Sequence, residues 1–158
     1  MDEQLLLAAE RGDDSEVRAL LSGGATIEAT RPDGATPLIL AARAGHARAC
    51  RELLAAGADA SRAKEGGVTA LLAAAAAGSV ECVRALIAAG VFLDAANDHG
   101  VTPLQMGAHK NEAGVVQALL AQNADVRAVD RAGNTALHKA ARAEAKAASP
   151  RSSCGSMD

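Results

Sequence analysis

The sequence predicts an all-α solenoid, in which helix-turn-helix units stack in a row and β-turns join one unit to the next. Two signatures with a common period support this prediction. A threonine that opens the phrase T-P-L or T-A-L recurs every 33 residues, at Thr36, Thr69, Thr102 and Thr135. A pair of apolar residues keeps the same step, at Leu20-Leu21, Leu53-Leu54, Leu86-Ile87 and Leu119-Leu120. Two signatures with one period indicate repeated units, each of which buries its apolar face against its neighbours.

The composition fits thin, stacked layers. Hydrophobic residues make up 49% of the 158-residue chain, yet Phe92 is its single aromatic residue. A core of alanine and branched aliphatic side chains suits helices that pack at close range. Cys50 and Cys82 fall on apolar stretches, so we predict buried, reduced thiols that behave as small hydrophobes.

The second unit shows how each element is specified. Thr36 is a suitable N-cap and Pro37 suits the first helical position, so a short helix is predicted to run as far as Arg43. Gly45 interrupts the helical pattern, and a second helix is predicted over residues 46–56, with Gly57 as its left-handed C-terminal cap.

Both glycine positions recur in the other units. The interrupting position is occupied by Gly12, Gly45, Gly78 and Asn111, and the cap position by Gly24, Gly57, Gly90 and Asn123. Asparagine tolerates the left-handed conformation best after glycine, so the same backbone path is predicted in the fourth unit.

This combination of phrases resembles the ankyrin repeat. The matching residues of the second unit are Asp33-Gly34, Thr36-Pro37-Leu38, Ala41-Ala42, Gly45-His46, Leu53-Leu54 and Gly57-Ala58-Asp59, and the resemblance covers residues 2–143. It implies an ankyrin-repeat solenoid whose β-turns project as fingers. In the family a histidine after T-P-L helps to tie neighbouring loops together. Here only His138 keeps it, so we expect the loops to be held less firmly.

The repeat phase predicts one ankyrin repeat domain over residues 1–148. Its units span 1–30, 31–63, 64–96, 97–129 and a truncated 130–148. In the last unit Ser152-Ser153 replaces the apolar pair, and residues 149–158 are predicted to form a disordered tail. Either a longer final helix over 135–148 simply caps the stack, or an under-covered apolar face that includes Leu119 binds a partner or a second copy.

No pattern in the sequence indicates catalysis, a metal site or a cofactor. The four histidines form no H-E-x-x-H or Cys/His ligand pattern, and no phosphate-binding glycine loop or G-x-S-x-G is present. A net charge of −3 and the scarcity of aromatic residues argue against nucleic acid as a partner. The most apolar run, residues 70–77, is too short to span a membrane.

The resemblance implies two sets of partner-binding positions, the finger tips and the residue pair at the end of each first helix on the concave face. The finger-tip candidates are Arg31, Asp33, Ala35, Lys64, Glu65, Val68, Asp98, His99, Val101, Arg131 and Asn134. The concave-face candidates are Arg11, Arg43, Ala76, Ala77, His109, Lys110 and Arg142.

Four of the five units place a basic residue in the concave pair. These residues are Arg11, Arg43, Lys110 and Arg142. Stacking would align them along one groove, with an apolar gap at Ala76-Ala77 and Val68. We hypothesise that this groove prefers an acidic segment with a small apolar anchor opposite the third unit. The alternative is that they are solvated surface charges, each worth about 0–1 kcal/mol.

The sequence therefore favours a non-enzymatic interaction module, an adaptor or regulator that binds a protein partner through the concave groove and the β-turn finger tips. A monomer in the cytoplasm or nucleus, without a cofactor, is expected. Two alternatives stay open. One is a kinase-inhibitor-like regulator, because small inhibitors of cyclin-dependent kinases contain a similar number of these repeats, although the second unit here reads as regular and theirs is distorted. The other is a self-associating structural protein that dimerises through its open C-terminal end.

Overall fold

The computed structural model describes residues 1–148, with side chains as far as residue 146, and confirms the predicted solenoid. The first helices of the units are α1 (Asp2–Arg11), α3 (Pro37–Ala44), α5 (Ala70–Ala77), α7 (Pro103–His109) and α9 (Ala136–Ala148). The second helices are α2 (Asp14–Ser22), α4 (Ala47–Ala55), α6 (Val80–Ala88) and α8 (Ala113–Leu120). The tail predicted over 149–158 lies outside the described residues.

Local capping sets these helix boundaries. The hydroxyl of Thr36 accepts a hydrogen bond from the backbone N–H of Ile39 at 3.2 Å, and Pro37 occupies the first turn, as predicted. Thr69 and Thr102 cap α5 and α7 in the same way. Asn111 and Asn123 adopt left-handed φ values of 59° and 64°, so the predicted exchange of asparagine for glycine preserves the backbone.

The core lies between two series of helices. First helices pack on first helices and second helices on second helices from one unit to the next. Leu53, Leu86 and Leu119 are completely buried. The alternative in which Leu119 belongs to an under-covered face is therefore wrong in this residue, because Leu119 has no exposed surface; Leu120 is the exposed member of that pair.

The two cysteines of the core are buried, as predicted, and no disulfide joins them. Cys50 on α4 and Cys82 on α6 face each other with 3.9 Å between their sulfurs. They pack at the interface of two successive second helices and behave there as small apolar side chains.

The fingers are tied together more firmly than the sequence suggests. In the third unit β1 (Ala63–Lys64) pairs antiparallel with β2 (Val68–Thr69) across a short 3₁₀ turn, Glu65–Gly67. One backbone hydrogen bond links each finger to the next: Glu65 N–H to the Asp33 carbonyl, Asp98 N–H to the Gly66 carbonyl, and Arg131 N–H to the His99 carbonyl, at 2.8, 2.9 and 3.0 Å. The expectation of loosely held loops is therefore wrong.

In the fourth unit Gln105 replaces the loop-tying histidine with a different donor. Its side-chain Nε2 donates to the carbonyl of Ala128 at 2.6 Å and to that of Asn134 at 3.3 Å. The amide is buried, and its oxygen accepts the N–H of Thr102 at 3.3 Å. An amide offers two donors and an acceptor, so it can hold the N-cap and the next turn at once.

Candidate functional site

Two adjoining hollows run between the fingers and the ends of the first helices, and we call them together the recognition groove. The first has a volume of about 280 Å³ and lies beside α3 and α5. Its lining is Arg43, Lys64, Val68, Leu72, Ala73, Ala76, Ala77, Asn97 and Met106. The floor is apolar, and the two basic side chains stand at the edge. Residues selected from two separate motifs thus meet in one concavity.

The second hollow continues the first toward the C-terminal end. It measures about 320 Å³ and is lined by Asn97, His99, Val101, Met106, His109, Asp130 and Lys139. Asn97 and Met106 belong to both hollows, so the groove is continuous across the third and fourth units. Its character changes along this path from apolar with basic edges to polar.

The finger carrying Asn97 is held by its own side chain. Asn97 Oδ1 accepts the backbone N–H groups of His99 and Val101 at 2.9 and 3.0 Å. An asparagine that satisfies two turn donors fixes the turn around Gly100. The imidazole of His99 and the side chain of Val101 therefore approach the groove from a defined loop.

Arg43 does not carry an isolated charge. Its Nη2 donates to Glu10 Oε1 at 3.0 Å, and Arg31 donates to both oxygens of the same carboxylate. The guanidinium of Arg31, and after it that of Arg43, holds the pKa of Glu10 below its usual range despite some desolvation. Two arginines thus share one acid from the preceding unit.

Lys64 is also paired across units. Its Nζ lies 3.3 Å from Asp33 Oδ2 on the preceding finger. The N–H of Ala35 and then the ammonium of Lys64 hold the pKa of Asp33 below its ordinary value. These contacts anchor the edge of the groove, and they leave the edge closer to neutral than a basic strip would be.

The polar end of the groove contains its most enclosed ion pair. Lys139 Nζ lies 2.7 Å from Asp130 Oδ2, with side-chain exposures of 15% and 7%. The ammonium of Lys139, together with the backbone N–H groups of Asn134 and Ala132, lowers the pKa of Asp130 to about 2. A charged carboxylate is therefore part of this finger's structure.

Acid should destabilise the protein partly through Asp130. Its pKa in the folded state, about 2, lies below the ordinary 3.8, so the ionised carboxylate stabilises the fold above pH 3.8, and that contribution disappears as the pH falls toward 2. Relative to the wild type, we expect Asp130→Asn to be less stable at pH 7 and equally stable near pH 2. Urea denaturation at several pH values measures this difference. Asp98→Asn, on an exposed finger tip, controls for the lost charge, and a pH-independent difference for Asp130→Asn would contradict the assignment.

The structure places the remaining sequence candidates outside the hollows. Glu65, Asp98 and Arg131 are exposed at the finger tips, Arg31 and Asp33 are half-buried in ion pairs, and Asn134 is half-buried below Gln105. Lys110 and Arg142 are exposed but line neither hollow.

Two candidates need correction. Ala35 is completely buried, because the finger folds its methyl group into the core, so it has no surface to offer a partner. Arg11 bonds Glu16 of α2 at 2.7 Å and therefore turns toward the second helix of its unit instead of the groove. The predicted alignment of four basic residues along one groove is reduced to Arg43 within the hollows.

The residues that sequence reasoning missed are Leu72, Ala73, Met106 and Lys139. Helical periodicity could have found most of them. Ala73 and Met106 come three residues before Ala76 and His109, and residues three apart lie on the same face of a helix. The residues of the apolar floor could therefore have been predicted from the sequence, once the ends of the first helices had been assigned to the groove.

Within residues 1–148, no group of three or more His, Cys, Asp or Glu side chains is arranged to hold a metal ion. In the same part of the chain, no helix combines the length and the apolar character that crossing a membrane requires.

Stacked pairs of helices with projecting, hydrogen-bonded fingers and a groove beneath them define a solenoid repeat protein of the interaction-module class. The family model described as ankyrin repeats in three copies matches residues 5–97, and the single ankyrin repeat model matches residues 99–131. The chain therefore belongs to the ankyrin repeat family, whose repeats are generally protein–protein interaction modules and typically non-catalytic. No curated protein gives a significant match to the chain.

Proposed function

We propose that this protein is an adaptor or regulator that binds a segment of a partner protein in the recognition groove. The observation that carries the proposal is the first hollow, where two basic side chains, Arg43 and Lys64, join a mainly apolar lining. Such a site suits a segment with a small apolar side chain flanked by acidic residues.

The lining of the floor favours an apolar anchor. A hollow of about 280 Å³ bordered by Val68, Ala76, Ala77 and Met106 has room for an apolar side chain of a partner. Met106 is flexible and polarizable, so it adapts to an anchor of variable shape.

The basic side chains already have acidic partners, and these are weakly bound. The Arg43–Glu10 and Lys64–Asp33 pairs are partly exposed, and exposed pairs are typically worth about 0–1 kcal/mol. A partner's carboxylate could therefore join or replace Glu10 or Asp33 at little cost. In this proposal charge contributes to the rate of association and to orientation, and the apolar anchor supplies most of the affinity.

The groove is preorganised for binding. The backbone bonds between fingers and the amide of Gln105 hold the edge and the floor in place before a partner arrives. A preformed surface loses little conformational entropy on binding.

A matched pair of double variants tests this proposal. Arg43→Glu with Lys64→Glu reverses the edge of the groove, whereas Arg51→Glu with Arg84→Glu makes the same charge change on the second helices. Arg51 and Arg84 are also paired with a carboxylate, that of Glu81, and they are more exposed than Arg43 and Lys64. A partner is first captured by wild-type protein from its native cells, and its binding kinetics are then measured against all three proteins.

We expect the groove variant to bind at least about 10-fold more weakly, through slower association and a flatter dependence on salt. The second-helix variant should bind like the wild type. Equal binding by the wild type and the groove variant would overturn the proposal.

One functional alternative is a regulator that resembles the small kinase inhibitors. The regular eight-residue α3, with a normal N-cap and a left-handed C-cap, gives no support to a kinase-inhibitor-like role with a distorted second unit.

For location we propose the cytoplasm or the nucleus, because Cys50 and Cys82 suit a reducing compartment as free thiols.

A further inference from the structure

The C-terminal end of the stack exposes a position that is buried in every other unit. Leu137 is 77% exposed, whereas the equivalent leucines of the other units are at most 2% exposed. Those leucines are Leu5, Leu38, Leu71 and Leu104. In each earlier unit the first helix of the following unit packs against the helix that carries the leucine. Within residues 1–148, no helix follows α9 to do the same.

The second helices show the same contrast. Val116 on α8 is only half-buried, but its equivalents Val17, Cys50 and Val83 are completely buried. The next second helix covers these positions, as the contact between Cys50 and Cys82 illustrates. Leu120, one turn beyond Val116, is 41% exposed.

A hollow of about 430 Å³ lies at this end of the stack, between α8 and α9. Its walls are almost entirely apolar and include Leu104, Ala108, Val116, Leu120, Leu137 and Ala140. It occupies the position of a second helix in the fifth layer, beside α9 in the position of the first. The end of the stack therefore has the shape of a step, with α9 as the raised half.

We propose that a second copy of this chain fills the hollow, so that two molecules interlock end to end as a dimer. A step is self-complementary under a two-fold rotation about an axis parallel to the helices, which is the symmetry of most dimers. The α9 helix of each copy would then lie on α8 of the other. Leu137 of one copy would be buried against Val116 and Leu120 of the other copy.

The dimensions of α9 fit this arrangement. The helix has 13 residues, whereas the second helices have 8 or 9, so α9 spans the full length of the position that it would occupy. Its exposed face carries Ala141 next to Leu137, and small side chains allow a close approach between helices. The interface would add a helix to the series α2, α4, α6 and α8, and this helix would run antiparallel to α8.

The residues that follow α9 are poorly suited to fill the hollow themselves. The repeat phase places Ser152-Ser153 where α4 has Leu53-Leu54, so this stretch lacks the apolar pair of a second helix.

Light scattering on the eluate of a size-exclusion column, over a range of protein concentrations, tests the proposal. The measured mass should be that of the 15.8 kDa monomer at low protein concentration and twice that value at high concentration, and the change should be reversible. Leu137→Glu should raise the dissociation constant at least about 100-fold, because each dimer contains the substituted residue twice. Phe92→Glu is the matched control, since Phe92 is 72% exposed on the turn after α6 and lies outside the proposed interface.

Three further measurements sharpen the outcome. Circular dichroism should show unchanged helix content for Leu137→Glu, which alters a side chain exposed in the monomer. Cys154 and Met157 follow α9 in the sequence and lie outside the described residues. Replacing both by serine should leave the dimer intact, because the proposed interface consists of α8 and α9, and so should the groove variant Arg43→Glu with Lys64→Glu. A single mass of 15.8 kDa at every concentration would overturn the proposal. The proposal would also be overturned if Phe92→Glu weakened the dimer as much as Leu137→Glu does, or if replacing Cys154 and Met157 abolished the dimer.

Discussion

Replacing Leu86 by alanine is expected to lower the free energy of unfolding by about 2–5 kcal/mol. Leu86 is completely buried on α6, which packs against α4 on one side and α8 on the other. Truncation removes buried apolar surface and leaves a cavity that helices on both sides prevent from collapsing. Because each unit of a solenoid contacts only its neighbours, one cavity in the middle layer weakens both of its interfaces.

Urea unfolding followed by far-UV circular dichroism measures this loss. Phe92→Ala is the control, since that side chain is 72% exposed and its removal should change stability by no more than about 0.5 kcal/mol. Equal stability of Leu86→Ala and the wild type would be incompatible with the stack described above.

The second large effect is expected in the third finger, where two adjacent glycines should respond differently to alanine. Gly66 and Gly67 both have left-handed φ values, 84° and 75°, and each alanine there should cost about 1–2 kcal/mol for that reason. At Gly67 the new Cβ would also lie 2.7 Å from Asp98 Oδ1 and 3.0 Å from Asp98 N. At Gly66 the nearest atom is a methyl group of Val68 at 3.9 Å.

Gly67→Ala should therefore destabilise the protein by about 1–3 kcal/mol more than Gly66→Ala, because a neighbouring backbone has to move. Paired urea denaturation curves give this difference directly. Hydrogen exchange gives a local reading, since the amide of Asp98 donates to the Gly66 carbonyl at 2.9 Å and should exchange faster in Gly67→Ala. Equal destabilisation by the two substitutions would show that the next finger leaves room for a Cβ atom at residue 67.

Much of the fold was predictable because its causes are local. Thr36 caps α3 through a hydrogen bond that spans three residues, and Asn111 takes the backbone conformation of the glycine that it replaces. The period then transfers each assignment to the other units. The hydrogen bonds that hold the loops together were not predictable in this way. Gln105 donates to the carbonyl of Ala128, 23 residues away, and the bonds between fingers join backbone groups that have no sequence signature.

The candidate site was predicted in part. The phase correctly brought Arg43, Lys64 and Val68 into one hollow together with Ala76 and Ala77. It could not show that Arg11 turns toward Glu16, or that the backbone of the finger buries Ala35. The position in the repeat specifies where the backbone of a residue lies in the solenoid. The direction of a long side chain such as that of Arg11, and the exposure of a small one such as that of Ala35, also depend on the neighbouring residues.

The sequence by itself determined the repeated unit, the ends of its helices and the leucines that fill its core, because capping and periodic burial act within one unit or between identical neighbours. Only the tertiary structure decided the charge of the groove and the character of the C-terminal end. Arg43 and Lys64 are balanced by carboxylates of the preceding unit, and such pairings depend on side-chain reach across layers. Leu137 has the sequence context of a core leucine, yet it is exposed because burial at that position requires a further layer.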